Sequence, residues 1–162
     1  MFVAPAVLGG HGVPDGGTMG SGARRAEETT MTGEATTTTL TDDECWEVLA
    51  AQPVGRLATA VAGEPDIFPV SFAVAEGAVF LLTRPGSKLA EVAVNARVAF
   101  ETDEWSEEVA ASVVLHGTAE ILERSADVAV AEATGLVPYL DDGKNVWVRI
   151  TPTDISGRRL IR

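Results

Sequence analysis

The sequence predicts a small, mainly β domain with short helices, its antiparallel strands closed into a six-stranded barrel. Three observations predict it. Six segments have strand character, and tight turns join the first three into a meander. Only three segments carry helix signatures, and all are short. Six strands in so small a domain favour closure, because a closed sheet has no exposed edge.

The chain has 162 residues, enough for one domain, or one domain with a tail. Hydrophobic residues make up 46% and charged residues 22%, which suffices for a core. No apolar run approaches the roughly 18 residues that a membrane helix needs. The apolar start, Met1 to Leu8, is short and lacks the basic residues of a secretory signal. The single Cys45 forms no internal disulfide, which fits a reducing cytoplasm. A net charge of -12 argues against nucleic acid and against an anionic membrane surface. A small anionic ligand remains compatible, since one local cluster outweighs a diffuse field at short range.

Residues 1–39 read as a disordered tail. They hold eight of the sixteen glycines and two threonine runs, without apolar period. Met19 and Met31 are candidate true starts of translation. The folded domain, residues 40–162, opens with Thr41-Asp42-Asp43-Glu44, a capping box with extra acids in the first turn. Trp46, Leu49 and Ala50 give that helix an apolar face, and Pro53 ends it. Cys45 on this helix reads as a structural thiol.

Arg56–Val61 is the first strand. Ala62-Gly63-Glu64-Pro65 turns the chain into Ile67–Val74, and Glu76-Gly77 turns it again into Ala78–Thr83. Pro69 cannot donate to a ladder, so it belongs at an edge or bulge, leaving backbone free to face a ligand. Thr83-Arg84-Pro85-Gly86-Ser87-Lys88 then runs from strand through a tight turn into a helix ending near Val94. Such a junction suits a phosphate. First-turn amides lack partners, the helix dipole favours an anion, and two hydroxyls and two cations lie within six residues. The plainer reading is an ordinary turn with Ser87 as N-cap.

Arg97–Thr102 is the fourth strand, Asp103–Glu108 a polar loop carrying Trp105, and Ala111–Ile121 a long fifth strand. Ser125–Thr134 reads as a helix closed by Gly135, 136–144 as a loop, and Asn145–Pro152 as the sixth strand. His116 could donate a proton near a cofactor, or be an ordinary half-buried side chain. Trp147 reads as packing. No Cys/His cluster has metal spacing, no Gly-x-Ser-x-Gly elbow occurs, and no catalytic acid or base stands out.

Taken in order, these pieces resemble the pyridoxamine 5′-phosphate oxidase-like family, the flavin-binding split barrels. The resemblance covers about residues 40–160. It rests on Leu40 to Trp46; Val54-Gly55-Arg56-Leu57-Ala58; Pro65 to Val70; Thr83 to Leu89; Val98 to Asp103; and Arg149-Ile150-Thr151-Pro152 with Ser156-Gly157-Arg158-Arg159. It implies a homodimeric split barrel with flavin mononucleotide (FMN) at the subunit interface, moving a hydride or electron pair to or from a small substrate. It places the flavin phosphate on Thr83, Ser87 and Lys88, with Arg56 reaching it, and the ring beside Pro69, Val70 and Ser71; Arg84 joins the phosphate site from the reading of the junction itself. Two departures matter. Relatives in this branch usually carry Gly-Trp-Ser-Val where this chain has Ala110-Ala111-Ser112-Val113, so the ring-side tryptophan is missing; 136–144 lacks the oxidase's substrate segment, which argues against pyridoxamine phosphate as substrate. The alternatives are a non-catalytic flavin or haem carrier or sensor, and a deazaflavin-dependent reductase. The latter ranks third, because its polyglutamate-bearing cofactor wants more surface lysines than twelve basic residues supply.

Overall fold

The computed structural model describes residues 36–139 and 143–162. Seven strands are present among them: β1 (Thr36–Thr39), β2 (Val54–Val61), β3 (Glu64–Ala75), β4 (Ala78–Thr83), β5 (Arg97–Trp105), β6 (Val109–Ile121) and β7 (Val146–Ile161). Three helices, α1 (Asp42–Ala51), α2 (Ser87–Val94) and α3 (Ser125–Ala133), interrupt them. Every pairing is antiparallel. Six strands follow one another in a ring, β7-β4-β3-β2-β5-β6, and β6 pairs back onto β7. The closed antiparallel barrel is therefore as expected, with β1 as an added strand on β7.

Inward side chains alternate along each strand and fill the ring. Leu57, Phe72, Leu81, Phe100, Leu115 and Ile150 share one cluster, in which the Phe72 and Phe100 rings meet edge to face at 4.8 Å. Cys45, Val48 and Leu49 of α1 and Leu89 and Val92 of α2 join the same cluster. A second cluster, Phe80, Trp147, Ala131 and Leu122, lies under α3 on the outward side of β4 and β7. Gly55 is required by the packing: a Cβ there would lie 2.3 Å from the Phe100 ring.

β2, β3 and β6 begin two or three residues earlier than expected, at Val54, Glu64 and Val109, and three further boundaries differ. β1 occupies Thr36–Thr39, which the sequence reading gives to the tail; residues 1–35 of that tail lie outside the described residues. Four threonines show no alternation, so their strand character is set by the bare edge of β7 rather than by a pattern. Asp103–Trp105 complete β5 instead of opening a loop. The turn is confined to Ser106–Glu108, where Ser106 Oγ accepts from the Glu108 and Val109 amides. Finally, the last strand does not stop at Pro152. His116 faces Asp154 while Gly117 faces Pro152, so the bulge at Thr153 absorbs the proline and the ladder runs on to Ile161.

Candidate functional site

The barrel is split between β3 and β4. Their ladder covers only Phe72–Ala75 against Ala78–Leu81. Before Phe72, β3 pairs with β2 alone, with Val54 opposite Ser71 and Arg56 opposite Pro69. Beyond Leu81, β4 pairs with β7 alone. Among the described residues, one edge of β3 at Pro69–Ser71 thus carries no strand, as the proline demands. A cleft of about 320 Å³ opens in this gap, within the range of small-ligand sites. Val54, Pro69, Val70 and Ser71 line one side and Leu82 the other; Lys88, Tyr139 and Lys144 stand around it.

Of the residues expected at a cofactor, the cleft brings together Pro69, Val70, Ser71 and Lys88. Lys88 is half-buried, its ammonium 5.5 Å from the centre of the Phe68 ring. Arg84 and Ser87 are exposed at the corner leading into α2. The helix starts one residue earlier than a Ser87 cap would require. Gly86 is the N-cap, no side chain caps the helix, and no acid lies in its first turn. Its first internal bond is Ala90 N–H to Gly86 C=O at 3.1 Å, so the amides of Ser87, Lys88 and Leu89 have no partner within the helix.

Two expected residues are turned elsewhere. Thr83 is buried, following Val79 and Leu81 on the inward face while Leu82 takes the cleft face, and its hydroxyl donates to the Arg84 carbonyl at 3.4 Å. Arg56 binds two carboxylates from the neighbouring strand, Glu101 at 3.4 Å and Asp103. Burial pushes the Glu101 carboxyl above its usual range; Arg56 opposes that shift and Asp103 adds to it.

Sequence reasoning missed Val54, Leu82, Tyr139 and Lys144 as lining residues. Val54 and Leu82 follow from the register, whereas Tyr139 and Lys144 lie in the loop after α3, where no periodicity marks a role. Trp105 is 76% exposed and stands at the far hairpin with Leu160 and Arg162. His116 is exposed and faces Asp154 at 3.9 Å. Trp147 packs beneath α3. Cys45 is fully buried, and burial, then Asp42 and Glu44, push its thiol above the ordinary range, which fits a structural thiol. Position 111 points inward, where Ala111 is buried. No helix among the described residues is long and apolar enough to cross a membrane.

Comparison with known proteins agrees with this architecture. A protein of Corynebacterium glutamicum, a candidate pyridoxamine 5′-phosphate oxidase, superposes with a TM-score of 0.73 and 36% identity, over 78% of this chain and 100% of its own. The FAD-binding protein of Mycobacterium smegmatis gives 0.68 and 37%, over 77% and 99%. A FAD-binding protein of Mesorhizobium loti gives 0.67 and 28%, over 79% and 99%. An uncharacterized protein of Mycobacterium tuberculosis is 34% identical over 80 residues, 49% of this chain and 73% of its own length. The model of the pyridoxamine 5′-phosphate oxidase family matches residues 41–159, and the chain belongs to that family.

Proposed function

We propose that this protein binds a flavin nucleotide, FMN, in the gap between β3 and β4. It does so as a homodimer with the cofactor at the subunit interface, and serves as a cytoplasmic oxidoreductase for a small substrate. The observation that carries the reading is the meeting of a bare strand edge, Pro69–Ser71, with an uncapped helix start that bears Lys88.

The residues present fit such a group. The phosphate rests on the first-turn amides of α2, the Ser87 hydroxyl and the Lys88 ammonium, with Arg84 at its outer edge. The reading gives Thr83 and Arg56 no direct contact, because one is turned into the core and the other is held by two carboxylates. Backbone groups of Pro69–Ser71 hydrogen-bond the polar rim of the ring, and Val54, Val70 and Leu82 keep water from its face. When bound, the flavin supplies the hydride or electron-pair chemistry; this chain positions it and tunes its electronics. Val54 and Ile67, 41% and 67% exposed, lie on the outward side with Pro69 and Ser71 and favour a second copy over this face.

FAD is the second reading, favoured by the two relatives described as FAD-binding. It shares the ring, ribityl chain and first phosphate, and its adenosine would extend beyond the cleft. The test is the absorption spectrum of the purified protein, then cofactor release with mass analysis, and titration of the stripped protein with FMN and FAD. A haem or deazaflavin spectrum would replace the proposal with one of those cofactors. Failure of both flavins to bind would sink it. Turnover with reduced nicotinamide separates an oxidoreductase from a carrier.

A further inference from the structure

Tyr139 is a large side chain for which the fold has no use. It is 91% exposed, more than any other large apolar or aromatic side chain among the described residues. Its backbone is nevertheless held in place. The Tyr139 N–H donates to Ser71 Oγ at 3.3 Å, which ties the loop after α3 to the bare edge of β3. Pro138 before it restricts the approach. Tyr139 and Ser71 both line the cleft, and the other lining residues among those described are aliphatic or polar. The nearby Phe68 ring has the Lys88 ammonium over it, and Trp105 belongs to a different cleft.

We propose that Tyr139 is the aromatic contact of the ring bound in the cleft, an inference that rests on the flavin reading above. A tyrosine gives a large, flat surface at the cost of only two side-chain torsions. Its backbone anchor removes much of the freedom that binding would otherwise have to freeze. Aromatic pairs favour offset or edge-on contact, and a phenol is electron-rich against the electron-poor flavin ring. The same anchor orients Ser71. Its oxygen accepts from Tyr139, and a hydroxyl that accepts still has its proton to donate toward the ligand.

The test uses the full chain, stripped and titrated with FMN while the flavin emission is followed. Tyr139→Ala should weaken binding roughly three- to tenfold and raise the emission of the bound flavin. Tyr139→Phe should keep most of the affinity yet recover emission, because a phenyl ring is a poor electron donor. The melting temperature of the flavin-free variants should match wild type, as expected for an exposed ring. Tyr139→Ala with wild-type affinity and wild-type emission would overturn the assignment of Tyr139 and leave the flavin reading intact. Absence of flavin binding by the wild-type protein would instead remove the flavin reading, and this inference with it.

Discussion

Two helix starts in this molecule solve the same problem in opposite ways. Each leaves first-turn amides without helical partners. At α1 the chain closes the end with its own side chains. Thr41 Oγ1 accepts from the Glu44 amide at 3.3 Å, the Glu44 carboxylate accepts from the Thr41 amide at 2.8 Å, and Asp42 and Asp43 add negative charge. At α2 there is no capping side chain and no acid, only Gly86, Ser87 and Lys88 beside an open cleft. An end closed by its own carboxylate has no use for an anion. An end without acid or cap, in a chain of net charge -12, leaves that place to one from outside.

Breaking the α2 end should have the largest effect. With Lys88→Ala and Ser87→Ala combined, two charge-assisted bonds to the phosphate go, at about 1.5–3 kcal/mol each. FMN titration should show at least a hundredfold loss of affinity. Both side chains lie at the surface or only half-buried, so melting should hold. Unchanged affinity would mean that the phosphate lies elsewhere.

Gly86→Asp sharpens the contrast, because it gives α2 the arrangement of α1. Gly86 has an extended φ of 168°, and a Cβ there meets nothing within 4 Å, so the side chain is accommodated. An aspartate cap should change stability by only a few tenths of a kcal/mol. Its charge stands where the phosphate would, and affinity should fall about tenfold. Tighter binding would contradict an anion site.

How much of this was legible in the sequence differs between the two ends of the cleft. β4 and α2 span the residues expected, because Pro85-Gly86 marks the corner and the apolar spacing changes period across it. Pro69 foretold the bare edge of β3, since a proline lacks the donor that a ladder needs. What stayed hidden depended on partners distant in sequence. Thr83 has the hydroxyl that a phosphate wants, but strand alternation turns it inward with Leu81. Arg56 looked like a phosphate cation until the β2–β5 register set Glu101 opposite it. Tyr139 sits in a loop without periodicity, and only its bond to Ser71 marks it.

Breaking the α1 end should act on stability and leave the cleft alone. Thr41→Ala removes the cap and should cost about 1 kcal/mol, read as a lower melting temperature or urea midpoint. FMN affinity should be unchanged, because α1 lends no residue to the cleft lining. A matching loss of affinity would show that the two helix ends are coupled, and the comparison would fail.

The smallest effect is a pH dependence belonging to α1. The Thr41 amide, then the Thr41 hydroxyl, hold the Glu44 carboxyl below its ordinary 4.5; burial works against them and Arg159 assists. A carboxyl depressed in the folded state contributes stability above its unfolded pKa and loses it as pH falls through the folded one. Glu101 runs the other way. Its raised carboxyl holds a proton to higher pH in the folded protein, so it opposes stability as pH rises through its unfolded value. The acid limb of the whole protein mixes these two signs, and the difference between wild type and Glu44→Gln separates them. That difference should be constant near neutral pH and shrink below about pH 4.5, as the wild-type carboxylate takes up its proton. A gap that persists into acid would mean that the box works through neutral hydrogen bonds. The acids of the α1 first turn would then not be what distinguishes it from α2.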